Sequence, residues 1–262
     1  MALDDNGSSK DSVPTGQKLT IVIVFHSVAL WNVVELGFII WATFKRRSGL
    51  YFWSFVVSSC GIIFHDIGFL LKFLQLTNPY LFVTFIFSGW CAMVTGQSFV
   101  LYSRLHLIMT SPSRLKLVKT MIIVDAIVCH VPTGIMGFGV NSNNAAPFIR
   151  PFSVMEKLQV TVFFIQEITI SGLYIYETVK LMRIRRGVPE HRPRGSKSSR
   201  NLMGHLIAVN VIIVMLDITI LALEYAGMYD LQTAYKGFVY SVGGARDKVE
   251  QCRIDPYAVE RG

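Results

Sequence analysis

Six apolar runs follow one another along this chain, at residues 19–44, 51–76, 81–103, 120–140, 158–182 and 202–226, separated by short polar breaks. Each is long enough to cross about 30 Å of hydrocarbon as a helix, which takes roughly 20 residues. They lack the strict alternation of barrel strands and exceed the ten or so residues such strands use. Helices are what remains, because only helices and closed barrels satisfy the backbone inside lipid. The composition agrees: 52% of the 262 residues are hydrophobic and 16% charged, against about 25% charged in a soluble domain. Such a chain is not disordered, and as a soluble enzyme it would lack the polar side chains to cover its surface. The expected fold class is therefore all-α, a transmembrane helical bundle.

The basic residues give the bundle a direction. Fifteen lie on one side, in the breaks after spans one, three and five: Lys45, Arg46, Arg47; Arg104, Arg114, Lys116, Lys119; and eight between Lys180 and Arg200. The other side holds four, Lys10, Lys18, Arg150 and Lys157. The positive-inside rule places the N-terminus outside or in a lumen, in the endoplasmic reticulum or plasma membrane. Asn6-Gly7-Ser8 is a glycosylation sequon on that side. Residues 1–18 form an extracytoplasmic arm without the apolar core of a cleavable signal, so the first span is expected to direct insertion. Residues 19–242 form the bundle and 243–262 a polar tail. Residues 229–242 contain Asp230, Gln232, Lys236 and Gly237 and are too short to cross unaided. A short or truncated seventh helix packed against the other six is the favoured reading. The segment from Arg183 to Arg200, rich in Arg, Pro, Gly and Ser, reads as a mobile cytoplasmic loop, and 141–151 as an external one.

Polar groups within the spans locate any chemistry, because a charge near the bilayer centre costs about 2.5–3.5 kcal/mol even on the lenient insertion scale. His65, Asp66, His130, Gln166, Glu167 and Asp217 fall near the midplane, and Asn32, Glu35, Gln97, Asp125 and Asn210 form a second, inner group. Asn210, Asp217 and Glu224 recur every seven residues and share one face of span six; Glu167, Ser171, Tyr174 and Thr178 do the same on span five. Glu35, Asp66, Glu167 and Asp217 are the candidate acids, with His65, Gln97, His130, Tyr174 and Asn210 lining a cavity. The bland alternative is that each of these groups is interhelical glue. His26, alone in span one, reads as a hydrogen-bonded packing residue, and Pro132 as a bend in span four.

Absent motifs narrow the chemistry. There is no HExxH, GxSxG or Walker A sequence, and no DDxxD-like cluster within a span to hold magnesium for diphosphate ionisation. Cys60, Cys91, Cys129 and Cys252 show no CxxC spacing, so neither a zinc site nor a disulfide framework is indicated, and no cofactor or nucleic acid is expected. A retinal protein would need a deep lysine in a full last span. Receptor signatures are also poor: Tyr102-Ser103-Arg104 stands where an acidic-Arg-aromatic triplet would end span three, and NPxxY is missing.

The stretches Val34-Glu35-Leu36-Gly37-Phe38, Leu50-Tyr51-Phe52-Trp53-Ser54, Gly68-Phe69-Leu70-Leu71-Lys72-Phe73, the run Thr95 to Leu107, and Lys236-Gly237-Phe238-Val239-Tyr240-Ser241-Val242 resemble a filamentous-fungal family of multi-pass integral membrane proteins found near secondary-metabolite genes. The resemblance covers spans one to six and stops near Val242. It implies topology and setting, with no catalytic residues to carry over. That setting suggests an architecture similar to small seven-helix membrane terpene cyclases, which protonate an epoxidised prenyl group without a metal. Such chemistry needs an acid, an aromatic-lined cavity and a base. Buried carboxyl groups can supply the first, and 18 Phe, 10 Tyr and 4 Trp the second. A prenylated small molecule and membrane lipid are the partners this reading implies. The competing class is a non-enzymatic seven-helix receptor or sensor, supported by the N-out topology and the long basic third cytoplasmic loop. A transporter is third, disfavoured by the lack of an inverted repeat.

Overall fold

The computed structural model describes residues 16–43, 49–74, 78–109, 111–142, 144–186 and 196–226, together with residues 235, 237–239 and 241. Asn6 and most of the N-terminal arm, the Lys45 to Arg47 cluster, residues 187–195 and the 243–262 tail lie outside the described residues. Six helices follow in chain order: α1 (Gly16–Thr43), α2 (Leu50–Phe73), α3 (Pro79–Ile108), α4 (Pro112–Val140), α5 (Ala146–Arg186) and α6 (Ser196–Tyr225). All regular structure among the described residues is helical. Pro79 and Pro112 start α3 and α4 in their first turns, where the missing N–H costs nothing.

Helices α2 to α5 are long and apolar enough to cross a membrane, while in α1 the apolar stretch is the shorter Ile23–Glu35. Six spans were expected; among the described residues four helices meet the length and composition that crossing demands. α6 opens on Ser196-Lys197-Ser198-Ser199-Arg200 and carries Asn210, Asp217 and Glu224 farther along. The helices also overrun their apolar segments. α4 takes in Arg114, Lys116 and Lys119, which the sequence assigned to a loop. α5 begins at Ala146, passes through Pro151 and runs 41 residues to Arg186, so much of the expected external loop and the start of the Arg183 to Arg200 loop are helix. Ser196 to Arg200 are helical too. A polar flank adds backbone hydrogen bonds to a nucleated helix at little cost, so apolar length sets only the minimum. Pro132 lies inside α4, which continues through it to Val140.

Polarity is distributed inside out. Ser58, His65, Asp66, Gln97, Ser98, Gln166, Glu167, Asn210 and Asp217 are buried, whereas Trp31, Phe38, Trp53, Ile127, Val131, Ile135 and Met215 are exposed. Such an exterior suits lipid, which offers apolar side chains a solvent. Several hydroxyls bond the carbonyl one turn back, as Ser98 to Val94 O (3.0 Å) and Thr178 to Tyr174 O (2.7 Å).

Glycine sets the tightest seam. A Cβ on Gly61 would stand 2.5 Å from Met93 N, one on Gly89 2.3 Å from His65 N, and one on Gly96 2.9 Å from Ser58 Cα. Gly61 and Gly68 on α2 and Gly89 and Gly96 on α3 each recur after seven residues, so two smooth stripes let the backbones touch. Elsewhere side chains fill the space: Leu101, Leu105, Ile122, Ile170 and Tyr174 join α3, α4 and α5 in one buried cluster.

The described part of the C-terminal segment is helical and packed against the bundle. The rings of Tyr235 and Phe238 each lie 5.7 Å from Phe25 of α1. Asn32 Nδ2 donates to Ser241 Oγ at 3.0 Å, Thr219 Oγ1 to Tyr235 Oη at 3.0 Å, and Val239 is buried with Val160 and Ile220. A segment too short to cross by itself is thus seated on α1, α5 and α6.

Candidate functional site: a buried carboxyl pair in a polar core

The seven-residue polar face of α6 and the polar face of α5 both point inward: Asn210, Asp217 and Glu224, and Glu167, Ser171, Tyr174 and Thr178, are all buried. Where the two faces meet, the carboxyl groups of Glu167 and Asp217 lie against each other. Glu167 Oε1 and Asp217 Oδ2 have no hydrogen-bond partner among the described residues. Nearby polar groups are anchored: Gln166 Nε2 donates to Ser98 Oγ (2.8 Å) and Asn210 Nδ2 to Ser171 O (3.2 Å). Tyr174 carries the Arg104 guanidinium 5.1 Å from its ring centroid.

Asp66 belongs to a different group. His26 Nδ1 lies 2.7 Å from Asp66 Oδ1 and His65 Nδ1 3.7 Å from the same oxygen. A second buried carboxylate is thus held between imidazoles of α1 and α2. The His26 ring stacks on Phe69 with centroids 5.5 Å apart. His130 meets Thr95 Oγ1 through Nε2 at 3.2 Å, and its ring lies 5.2 Å from Phe163.

Glu35 stands apart from the other candidate acids, because it is exposed. α1 presents a narrow stripe to the bundle, with Ala29 and Val33 buried and Asn32 bonded to Ser241. Two residues beyond Val33 is 200° around the helix, which turns Glu35 outward. Gln97 is buried on α3.

A cleft among α2, α3, α4 and α5 was not read from the sequence. It encloses about 110 Å³ and is lined by Phe82, Phe87, Trp90 and Phe152, by Thr133, Gly134, Gly137 and Gln159, and by His65, Lys72 and Glu156. Gln159 lies seven residues before Gln166 and so on the same face of α5; its place at the border of the apolar run concealed it. Glu177 was missed as well: buried near the far end of α5, it lies 3.4 Å from Arg114 Nη1 and 3.7 Å from Lys180 Nζ. Cys60, Cys91 and Cys129 are free thiols, and no group of three or more metal-ligating side chains occurs among the described residues.

Fold and core together define an all-helical bundle with an apolar exterior and a carboxyl pair sealed inside. The chain belongs to the DUF7703 family, described as a domain of unknown function, whose model matches residues 10–254. No curated protein and no solved structure matches it.

Proposed function

We propose that this is an integral membrane protein whose Glu167–Asp217 pair acts as the proton donor of a metal-independent cyclase, opening an epoxidised prenyl group and cyclising it. The observation that carries this reading is the pair itself, two buried carboxyl groups set side by side between α5 and α6, each with an oxygen that has no hydrogen-bond partner among the described residues. Carboxyl groups serving only as glue between helices gain most when every oxygen is bonded. Here one proton can leave and the conjugate carboxylate can accept another at the end of the reaction, which is the acid and base work of an isomerisation. The sequence resemblance to fungal membrane proteins encoded near secondary-metabolite genes supports the substrate class.

Incubating membranes that contain the protein with an epoxy-prenyl phenol should yield a cyclised isomer of unchanged mass. Glu167→Gln and Asp217→Asn keep size and hydrogen bonding but remove the transferable proton; each should lower turnover by at least about 100-fold, the usual contribution of general acid catalysis. Full activity in both variants would exclude the pair as the acid, and Asp66→Asn would be tested next.

A non-enzymatic receptor or sensor is the second reading, and one observation favours it: the aromatic cleft of α2 to α5 does not include Glu167 or Asp217 in its lining. A membrane that shows no conversion while the protein binds a small molecule in that cleft would decide for it.

A further inference from the structure

We infer that the cleft among α2, α3, α4 and α5 is a binding site for one uncharged, hydroxyl-bearing aromatic ring. Its volume, about 110 Å³, approaches that of the roughly 150 Å³ engineered cavity that takes up benzene. A single six-membered ring fits, with its substituents directed out of the cleft. Four aromatic side chains among its lining offer the ring faces and edges to pack against.

Two polar groups specify the hydroxyl. Gln159 is 2% exposed and Thr133 7%, both line the cleft, and neither Gln159 Oε1 nor Thr133 Oγ1 has a hydrogen-bond partner among the described residues. Each such orphan in a buried setting costs stability, and a ligand that bonds it relieves that cost. A phenolic hydroxyl donates one bond and accepts another, which suits an amide oxygen and a threonine hydroxyl that line the same cleft. Charge is balanced across the site, because Lys72 and Glu156 contribute one of each sign to the lining. A neutral ring is therefore favoured over a phenolate or an ammonium.

The route in is through the bilayer. An open apolar groove between α3 and α4 shares Phe87 and Gly134 with the cleft. Phe87 lies on Gly134, where a Cβ would stand 2.6 Å from its ring tip, so the flexible end of one side chain stands where groove and cleft meet. A lipid-soluble phenol reaches the site by displacing that ring. The inference is independent of catalysis by the carboxyl pair, since binding requires no turnover.

The test is saturable binding of 3-propylphenol and propylbenzene to the full chain in nanodiscs, with empty nanodiscs subtracted for partition. The phenol should bind about tenfold more tightly than propylbenzene. Gln159→Leu and the near-isosteric Thr133→Val should each bring that ratio close to one while propylbenzene affinity holds. Gln159→Leu should also raise the thermal stability of the ligand-free protein, because it removes a buried orphan acceptor. A retained preference in both variants, equal affinity for the two probes in the parent protein, or no binding above the blank would overturn the inference. If one variant fails to fold, the other decides.

Discussion

At the scale of single residues, the core is organised around how each buried charge is shared. Asp66 is nearly inaccessible and His26 slightly exposed, and the 2.7 Å bond between them places an ion pair or its neutral equivalent inside the bundle. Removing one member of a buried pair typically costs 3–5 kcal/mol, whereas replacing both by apolar groups is often neutral. His26→Leu should therefore destabilise the protein by about 3 kcal/mol, and His26→Leu combined with Asp66→Leu should recover most of the loss. Unfolding in mixed micelles by added dodecyl sulfate, followed by circular dichroism, measures both. Equal loss in the single and double variants would mean that His65, 3.7 Å from the same oxygen, already compensates the carboxylate. The sequence read Asp66 as a carboxyl group within span two and His26 as a hydrogen-bonded packing residue. It could not pair them, because they are 40 residues apart and only the rotation of α1 against α2 brings them together.

Between elements, backbone proximity matters more than side-chain volume at the α2–α3 seam. Gly89→Ala would drive a methyl to within 2.3 Å of the His65 backbone nitrogen, and no side-chain movement can relieve a clash with backbone. The variant should lose about 1–3 kcal/mol through forced separation of the helices. Gly172→Ala, where nothing lies within 4 Å of the added carbon, should be neutral or stabilising by about 0.5–1 kcal/mol from helix propensity. Comparing the two in the same micelle titration cancels the shared glycine-to-alanine effect, and equal stabilities would refute close approach at Gly89. The seven-residue recurrence of Gly61 with Gly68 and of Gly89 with Gly96 was present in the sequence as a pattern of small residues. Its meaning depends on which helix lies opposite, which spacing along one chain does not state.

For the whole molecule, orientation is the testable property. With the four native cysteines replaced, Ser142→Cys in the connection between α4 and α5 should react with an impermeant maleimide applied outside, and Ser113→Cys at the start of α4 only after permeabilisation. The reverse pattern would invert the topology drawn from fifteen basic residues against four. All-α architecture, helices apolar enough to cross a membrane, the approximate positions of the helices and the inward faces of α5 and α6 were legible from the chain, because apolar length and seven-residue spacing are local properties with few physical solutions. Helix ends were not, since charged turns extend a helix without adding to its apolar length. The pairing of Glu167 with Asp217 was expected from their shared depth, but three-dimensional packing alone turned Glu35 outward, gave Asp66 to two histidines and opened a cleft between four helices. Each depends on the rotation of one helix about its axis relative to a neighbour, and that angle is fixed by side chains meeting across the interface, a pairwise fact that no single segment contains.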